Sequence, residues 1–127
     1  MIVIGIVVQA LNEQEQIIDA LKKALPDGAL TFFTYDYERE LLADLRCGAR
    51  VDLALLCDTD TWHGPPCTLA IKKEWPDIKV VGISAVETQH NKFLQAGAAA
   101  FIWKKSTENL TGAQLRSILS SLGLEPK

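Results

Sequence analysis

The chain has 127 residues, 48% of them hydrophobic and 23% charged, and its 13 basic and 16 acidic side chains leave a net charge of −3. Such a composition excludes a disordered chain and describes one ordinary packed domain, able to bury roughly 65–70% of its unfolded surface without a disulfide or metal staple. The acidic balance excludes a broad nucleic-acid or anionic-membrane surface, because phosphate binding needs clustered Lys and Arg.

The first apolar run, Ile2–Val8, is too short to span a bilayer and lacks the basic flank of a signal peptide. It predicts a strand, as do Leu30–Thr34, Val51–Leu56, Lys79–Ile83 and Ala99–Trp103. Most of these runs lack polar alternation, the pattern of strands covered on both faces. Between them lie helical patterns. Asn12 with Glu15 resembles a capping box, followed by a stripe of Ile17, Ile18, Leu21, Ala24 and Leu25, with Pro26 and Gly28 as stops. A second helix is predicted over 36–47, with Leu41, Leu42 and Leu45 inward and Gly48 ending it. The third starts at Pro65–Pro66 and reaches Trp75, with Leu69, Ile71 and Trp75 as core. The fourth covers 87–96, Phe93 and Leu94 inward, and Gly97 closes it. The last begins at Thr111, with Gln114 completing a second box, and buries Leu115, Ile118, Leu119 and Leu122. The domain is expected over residues 1–122, with 123–127 as a C-terminal tail.

Five strand-then-helix units predict an α/β fold, a doubly wound parallel sheet with helices on both faces. Function in such sheets collects outside the carboxyl ends of the strands. Those ends carry Gln9 and Ala10, Tyr35 and Asp36, Cys57 to Asp60, Ser84 and Ala85, and Lys104. No glycine-rich phosphate loop follows the first strand, whose exit reads Gln9-Ala10-Leu11-Asn12-Glu13, so a dinucleotide or NTP site is not expected. No Ser, His and carboxylate set has spacings that suit acyl transfer, His63 and His90 suggest no ligand pair, and no enzymatic activity is expected. Cys47, Cys57 and Cys67 match no zinc pattern and read as reduced thiols, small buried residues of a cytoplasmic protein.

The segment Val51-Asp52-Leu53-Ala54-Leu55-Leu56-Cys57-Asp58, taken with Pro76-Asp77-Ile78, Ser84-Ala85, Ala96-Gly97-Ala98 and Phe101-Ile102-Trp103-Lys104, resembles the receiver domain of two-component response regulators over nearly the full length. The resemblance implies a flavodoxin-like (CheY-like) sheet of strand order 2-1-3-4-5 with five helices on both faces, and a role in signal transduction and phosphorelay. In that family the aspartate ending strand three accepts a phosphoryl group, and an acidic pair after strand one helps it hold Mg²⁺. Carboxylates serve because that metal prefers hard oxygen ligands and neutralises the transferring group.

In register with that pattern, Cys57 stands at the acceptor position and Gln9 and Ala10 at the acidic pair. A thiol, an amide and a methyl group suit Mg²⁺ poorly, so no metal or other cofactor is expected. Ser84 and Lys104 keep the hydroxyl and the cation, Lys105 replaces the usual proline, and Phe101 falls at the family's aromatic switch position. The stretch from Ser84 to Ala96 and the loop after strand three are shorter than usual for the family. The expected function is therefore a pseudo-receiver: a signalling domain acting by protein–protein contact without the standard phosphorylation. It is either a stand-alone adaptor or a piece of a longer regulator.

The resemblance assigns output to helix four, strand five and helix five, here including Asn91, Gln95, Trp103, Lys105 and the exposed side of 114–121. Its partners would be a histidine kinase, a downstream signalling protein, or a second copy through that face, and neither nucleic acid nor membrane. Two alternatives stay open. Asp58 or Asp60 accepts the phosphoryl group, with Mg²⁺ and with Glu13 lending a ligand, against the plainer reading of exposed loop carboxylates. Or Cys57 is a thiol sensor activated by Lys104, against that of a small buried residue. Lys104 also reads as a structural cation pairing with Asp58, Ser84 as a plain loop hydroxyl, and Trp62 as a partner anchor or as a ring folded over its own loop.

Overall fold

In a computed structural model, which describes residues 2–8, 11–24, 30–57, 64–84, 89–103 and 112–123, the apolar runs become a parallel five-stranded sheet. The elements in chain order are β1 (Ile2–Val7), α1 (Leu11–Ala24), β2 (Leu30–Tyr35), α2 (Glu38–Arg46), β3 (Leu53–Cys57), α3 (Gly64–Glu74), β4 (Lys79–Ser84), α4 (Gln89–Gln95), β5 (Ala100–Trp103) and α5 (Gly112–Ser121). The strand order is β2-β1-β3-β4-β5. Register is tight through the centre: Ile6 pairs with Leu55, Leu55 with Val81, and Ile83 with Ile102.

Side chains alternate across each strand, so every central strand feeds two cores. Ile4, Ile6, Leu53, Leu55, Val81 and Ile83 meet Ile17, Leu21 and Leu119 from α1 and α5. Val7, Ala54, Leu56 and Val80 meet Leu41 and Leu45 of α2, Cys67 and Ile71 of α3, and Phe93 of α4. All six residues of β1 are buried, as expected of a strand covered on both faces. The edge strand β2 is the exception, with Phe33 and Thr34 exposed.

Several boundaries and burials correct the sequence reading. Helix α1 starts at Leu11, which puts Asn12 inside the first turn and not at a cap. Helix α2 starts at Glu38, since extended Tyr37 (φ −134°, ψ 149°) is its N-cap, and the Tyr37 N–H donates to Glu40 Oε1 at 3.0 Å. Leu94 is exposed: residues adjacent in a helix point about 100° apart, and Phe93 takes the inward direction. Leu69 is exposed for the same reason, as it lies between Cys67 and Ile71, which share the buried face. Cys47, at the C-cap of α2, is exposed, whereas Cys67 is buried as expected.

Helix α4 ends in a Schellman turn, in which Gly97 N–H donates to Leu94 O and Ala98 N–H to Phe93 O. Gly97 takes φ 106°, a left-handed conformation that a side chain would strain. Helix α2 ends in the same way at Gly48 (φ 94°).

Strand β3 begins at Leu53, later than the apolar pattern suggests, because Asp52 uses its side chain as a ladder group. Its carboxylate accepts from Val3 N–H at 2.9 Å, its own N–H donates to Val3 O, and its carbonyl accepts from Lys79 N–H. Lys72 does a comparable job below α3, where its ammonium donates to Pro76 O at 2.7 Å and Ile78 O at 3.2 Å.

Candidate functional site

The carboxyl ends of three sheet strands form one rim. Cys57 is the last residue of β3 and pairs with Ile83, so the next residue of β4, Ser84, stands at the same edge. Ser84 in turn pairs with Trp103, the last residue of β5. The register thus aligns the backbones of three residues that the sequence nominates separately. Tyr35 ends β2 on the same rim, and its carbonyl accepts from Val8 N–H at 3.0 Å.

The remaining nominated residues, Gln9, Ala10, Asp58, Asp60, Lys104 and Lys105, lie outside the described residues, as do Trp62 and His63. The side chains of Cys57, Trp103, Glu13, His90 and Gln114 do too. Thr111, the expected start of the last helix, is outside them as well, and α5 is described from Gly112.

Ser84 is 2% exposed, so a hydroxyl sits at the rim within the protein envelope and not on an open loop. Strand alternation puts Ser84 on the face of Gly82, which is the α4 side. Gly82 is a seat for a ring: a Cβ built there would stand 2.5 Å from Phe93 Cγ and Cδ1. The Phe93 ring therefore lies directly on the β4 backbone. Phe101 pairs with Gly82 across the ladder, and its half-buried ring packs on Phe93 with centroids 5.7 Å apart and planes tilted by 41°. Tilted aromatic pairs at this separation are favourable. Helix α4 is thus keyed to β4 and β5 by two aromatic rings and one glycine. The sequence reading named both rings and missed the glycine. An isolated Gly inside the buried run Lys79-Val80-Val81-Gly82-Ile83 is itself a signal of close approach.

Outward from that key, α4 exposes Asn91, Leu94 and Gln95, and the described part of α5 exposes Ser117, Ser120 and Ser121. On the other side of the sheet centre, Tyr35 donates its hydroxyl to Asp44 Oδ2 at 2.8 Å. Burial and the neighbouring carboxylate both raise its pKa far above the ordinary phenol value. Burial, with a smaller effect from Glu38, pushes the Cys67 thiol up to about 12, so it is held as the unreactive thiol. Asp52 belongs to the motif that carries the resemblance, yet its place is at the amino end of β3, with the whole strand between it and the rim. It is a structural acid. Among the described residues no cluster of His, Cys, Asp and Glu has the makings of a metal site, and no helix is long and apolar enough to cross a membrane.

No protein-family model and no curated protein matches the chain. Solved structures do match over nearly its whole length. A LuxR family DNA-binding response regulator from Silicibacter pomeroyi has a TM-score of 0.78 at 23% identity, covering 98% of this chain and 94% of its own. The response regulator TrrA from Thermotoga maritima, solved with Mg²⁺ and beryllofluoride, has a TM-score of 0.76 at 20% identity, covering 96% of this chain and 99% of its own. The beryllofluoride-activated DrrB receiver domain has a TM-score of 0.75 at 16% identity, covering 96% and 97%. The chain therefore has the CheY-like, flavodoxin-type fold of response-regulator receiver domains, with the order and helix count that the resemblance implies.

Proposed function

We propose that this chain is a pseudo-receiver, a signalling domain that works through protein–protein contact and is not charged by Mg²⁺-dependent phosphorylation of an aspartate. The observation that supports it most is that β3 ends on Cys57, the strand end where receivers keep the acceptor carboxylate. Strand β1 ends at Val7, so Gln9 and Ala10 follow its exit, where the acidic pair belongs. These three positions offer a soft thiol, a neutral amide and a methyl group, which do not fit a small hard cation that requires near-octahedral oxygen ligation.

What the scaffold keeps is its output side. Phe93 seated on Gly82 and packed on Phe101 couples α4 to β4 and β5. A partner protein, either a histidine kinase or a downstream component in the cytoplasm, docks on the surface formed by α4, β5 and α5 in this reading. Leu94 is its exposed apolar contact, with Asn91 and Gln95 beside it.

The test is Mg²⁺ with beryllofluoride, read by amide chemical shifts, and acetyl phosphate, read by intact mass. The native chain is expected to show neither a shift at the ends of β3 and β4 nor a phosphoryl adduct. The triple variant Gln9→Asp, Ala10→Asp, Cys57→Asp is expected to gain a Mg²⁺ response. A hydroxylamine-labile adduct on Asp58 or Asp60 of the native chain would refute the proposal and establish a phosphoacceptor instead.

A further inference from the structure

Strand β2 is an edge of the sheet, and one hydrogen bond reveals which of its backbone groups are spoken for. Val8 N–H donates to Tyr35 O, so Tyr35 turns its backbone toward β1. By strand alternation Phe33 and Thr31 do the same, while Phe32 and Thr34 direct N–H and C=O away from the sheet. Edge strands are ordinarily defended by Lys, Pro, a bulge or a covering element. The six residues Leu-Thr-Phe-Phe-Thr-Tyr of β2 contain no charge, no proline and no glycine. Phe33 is 47% exposed and Thr34 is exposed, and among the described residues no strand pairs with the outer side of β2.

We propose that the β2 edge is a self-association surface, where two copies of the chain pair β2 with β2 antiparallel about a two-fold axis through Phe33. The occupant is a second copy because the strand is complementary to itself in this register. With Phe33 opposite Phe33, Phe32 faces Thr34 and Thr31 faces Tyr35, so outward backbone groups meet outward groups. Each of these cross-strand pairs joins an aromatic residue to another aromatic or to a β-branched one, the combinations that stabilise antiparallel ladders. Asp36 falls opposite Leu30, so no like charges meet. The axis also sets the exposed Phe33 ring against its twin on the same face of a now continuous sheet. Because β2 and β5 are opposite edges, such a dimer leaves the α4, β5 and α5 surface open to a partner protein.

The experiment is sedimentation of the full chain across the micromolar range, with circular dichroism to verify folding of each variant. The native chain is expected to show a concentration-dependent dimer. Phe33→Lys and Phe33→Glu, at an exposed site, are each expected to raise the dimer dissociation constant at least about tenfold by placing like charges on the axis. A mixture of the two variants should recover the dimer. Phe33→Cys in a Cys47→Ser background should cross-link through position 33 on oxidation, since a non-hydrogen-bonded pair brings Cα atoms to about 4.5 Å. A native chain that stays monomeric would overturn the proposal. So would a dimer indifferent to both Phe33 variants but dissolved by Leu94→Lys, which moves self-association to the α4 surface and leaves the pseudo-receiver reading standing.

Discussion

Replacing Gly82 with alanine probes the contact that seats α4 on the sheet. The added methyl would lie 2.5, 2.5 and 2.8 Å from three ring atoms of Phe93. Ordinary carbon–carbon contact is about 3.5–4.0 Å, so the ring must retreat by about 1 Å. Its room to do so is small, because Phe93 is fully buried and backed by Phe101. Overpacking of this kind costs about 1–3 kcal/mol, offset by the roughly 0.5–1 kcal/mol that alanine gains over glycine inside a strand. The net expectation is a loss of about 1–2 kcal/mol, seen in urea unfolding as a midpoint lowered by on the order of 1 M at unchanged slope.

The cause is isolated by a double-mutant cycle with Phe93→Ala, which alone should cost about 3–5 kcal/mol. In that background the methyl of Gly82→Ala enters the space left by the ring, and the substitution should become neutral or stabilising. The coupling should be at least about 1 kcal/mol. If Gly82→Ala is as stable as the native chain, or if the two changes simply add, then the ring is not seated on the strand and does not key α4 to the sheet.

Three further outcomes follow from burial and charge. Ile71→Ala should lose about 2–5 kcal/mol because its side chain is fully enclosed, whereas Leu69→Ala, two positions away, should stay within about 0.5 kcal/mol by the same urea assay. Tyr35→Phe should cost about 1 kcal/mol through loss of the Asp44 hydrogen bond. Because the folded Tyr35 pKa is raised, that contribution is complete below about pH 10, where the unfolded phenol begins to ionise, and is lost as pH rises further. Native stability should therefore fall above that pH, and the Tyr35→Phe variant should lack this component; parallel curves for both proteins would contradict it. Iodoacetamide with peptide mapping should label exposed Cys47 readily near neutral pH and Cys67 only on unfolding, since burial keeps the latter protonated; comparable rates would refute that placement.

Much of this architecture is readable from composition and punctuation. Buried parallel strands announce themselves as unbroken apolar runs, and Gly48 and Gly97 mark helix ends because left-handed backbone favours glycine. The strand-end positions of Cys57 and Ser84 follow from the same runs, and the register then shows them to be neighbours. What the pattern does not carry is direction around short helices. Phe93 and Leu94, or Leu69 and Ile71, look alike as apolar residues, and only one of each pair faces the sheet. Cys47 looks like a core cysteine until its position past the last turn of α2 puts it in solvent. Long-range polar partners are equally silent, as with Asp52, whose bonds to β1 and β4 no spacing in the chain announces.

That same aspartate acts as a registration pin. Its amide, carbonyl and carboxylate are committed to two different strands, β1 and β4, at one point in the sheet. Sliding β3 by a single position against both neighbours would break those links together, a combined loss of about 2–4 kcal/mol, and would also turn Leu53, Ala54, Leu55 and Leu56 to the wrong layers. Misalignment of the central strand is therefore penalised twice, in the polar links of the residue just before it and in the apolar layers along its length.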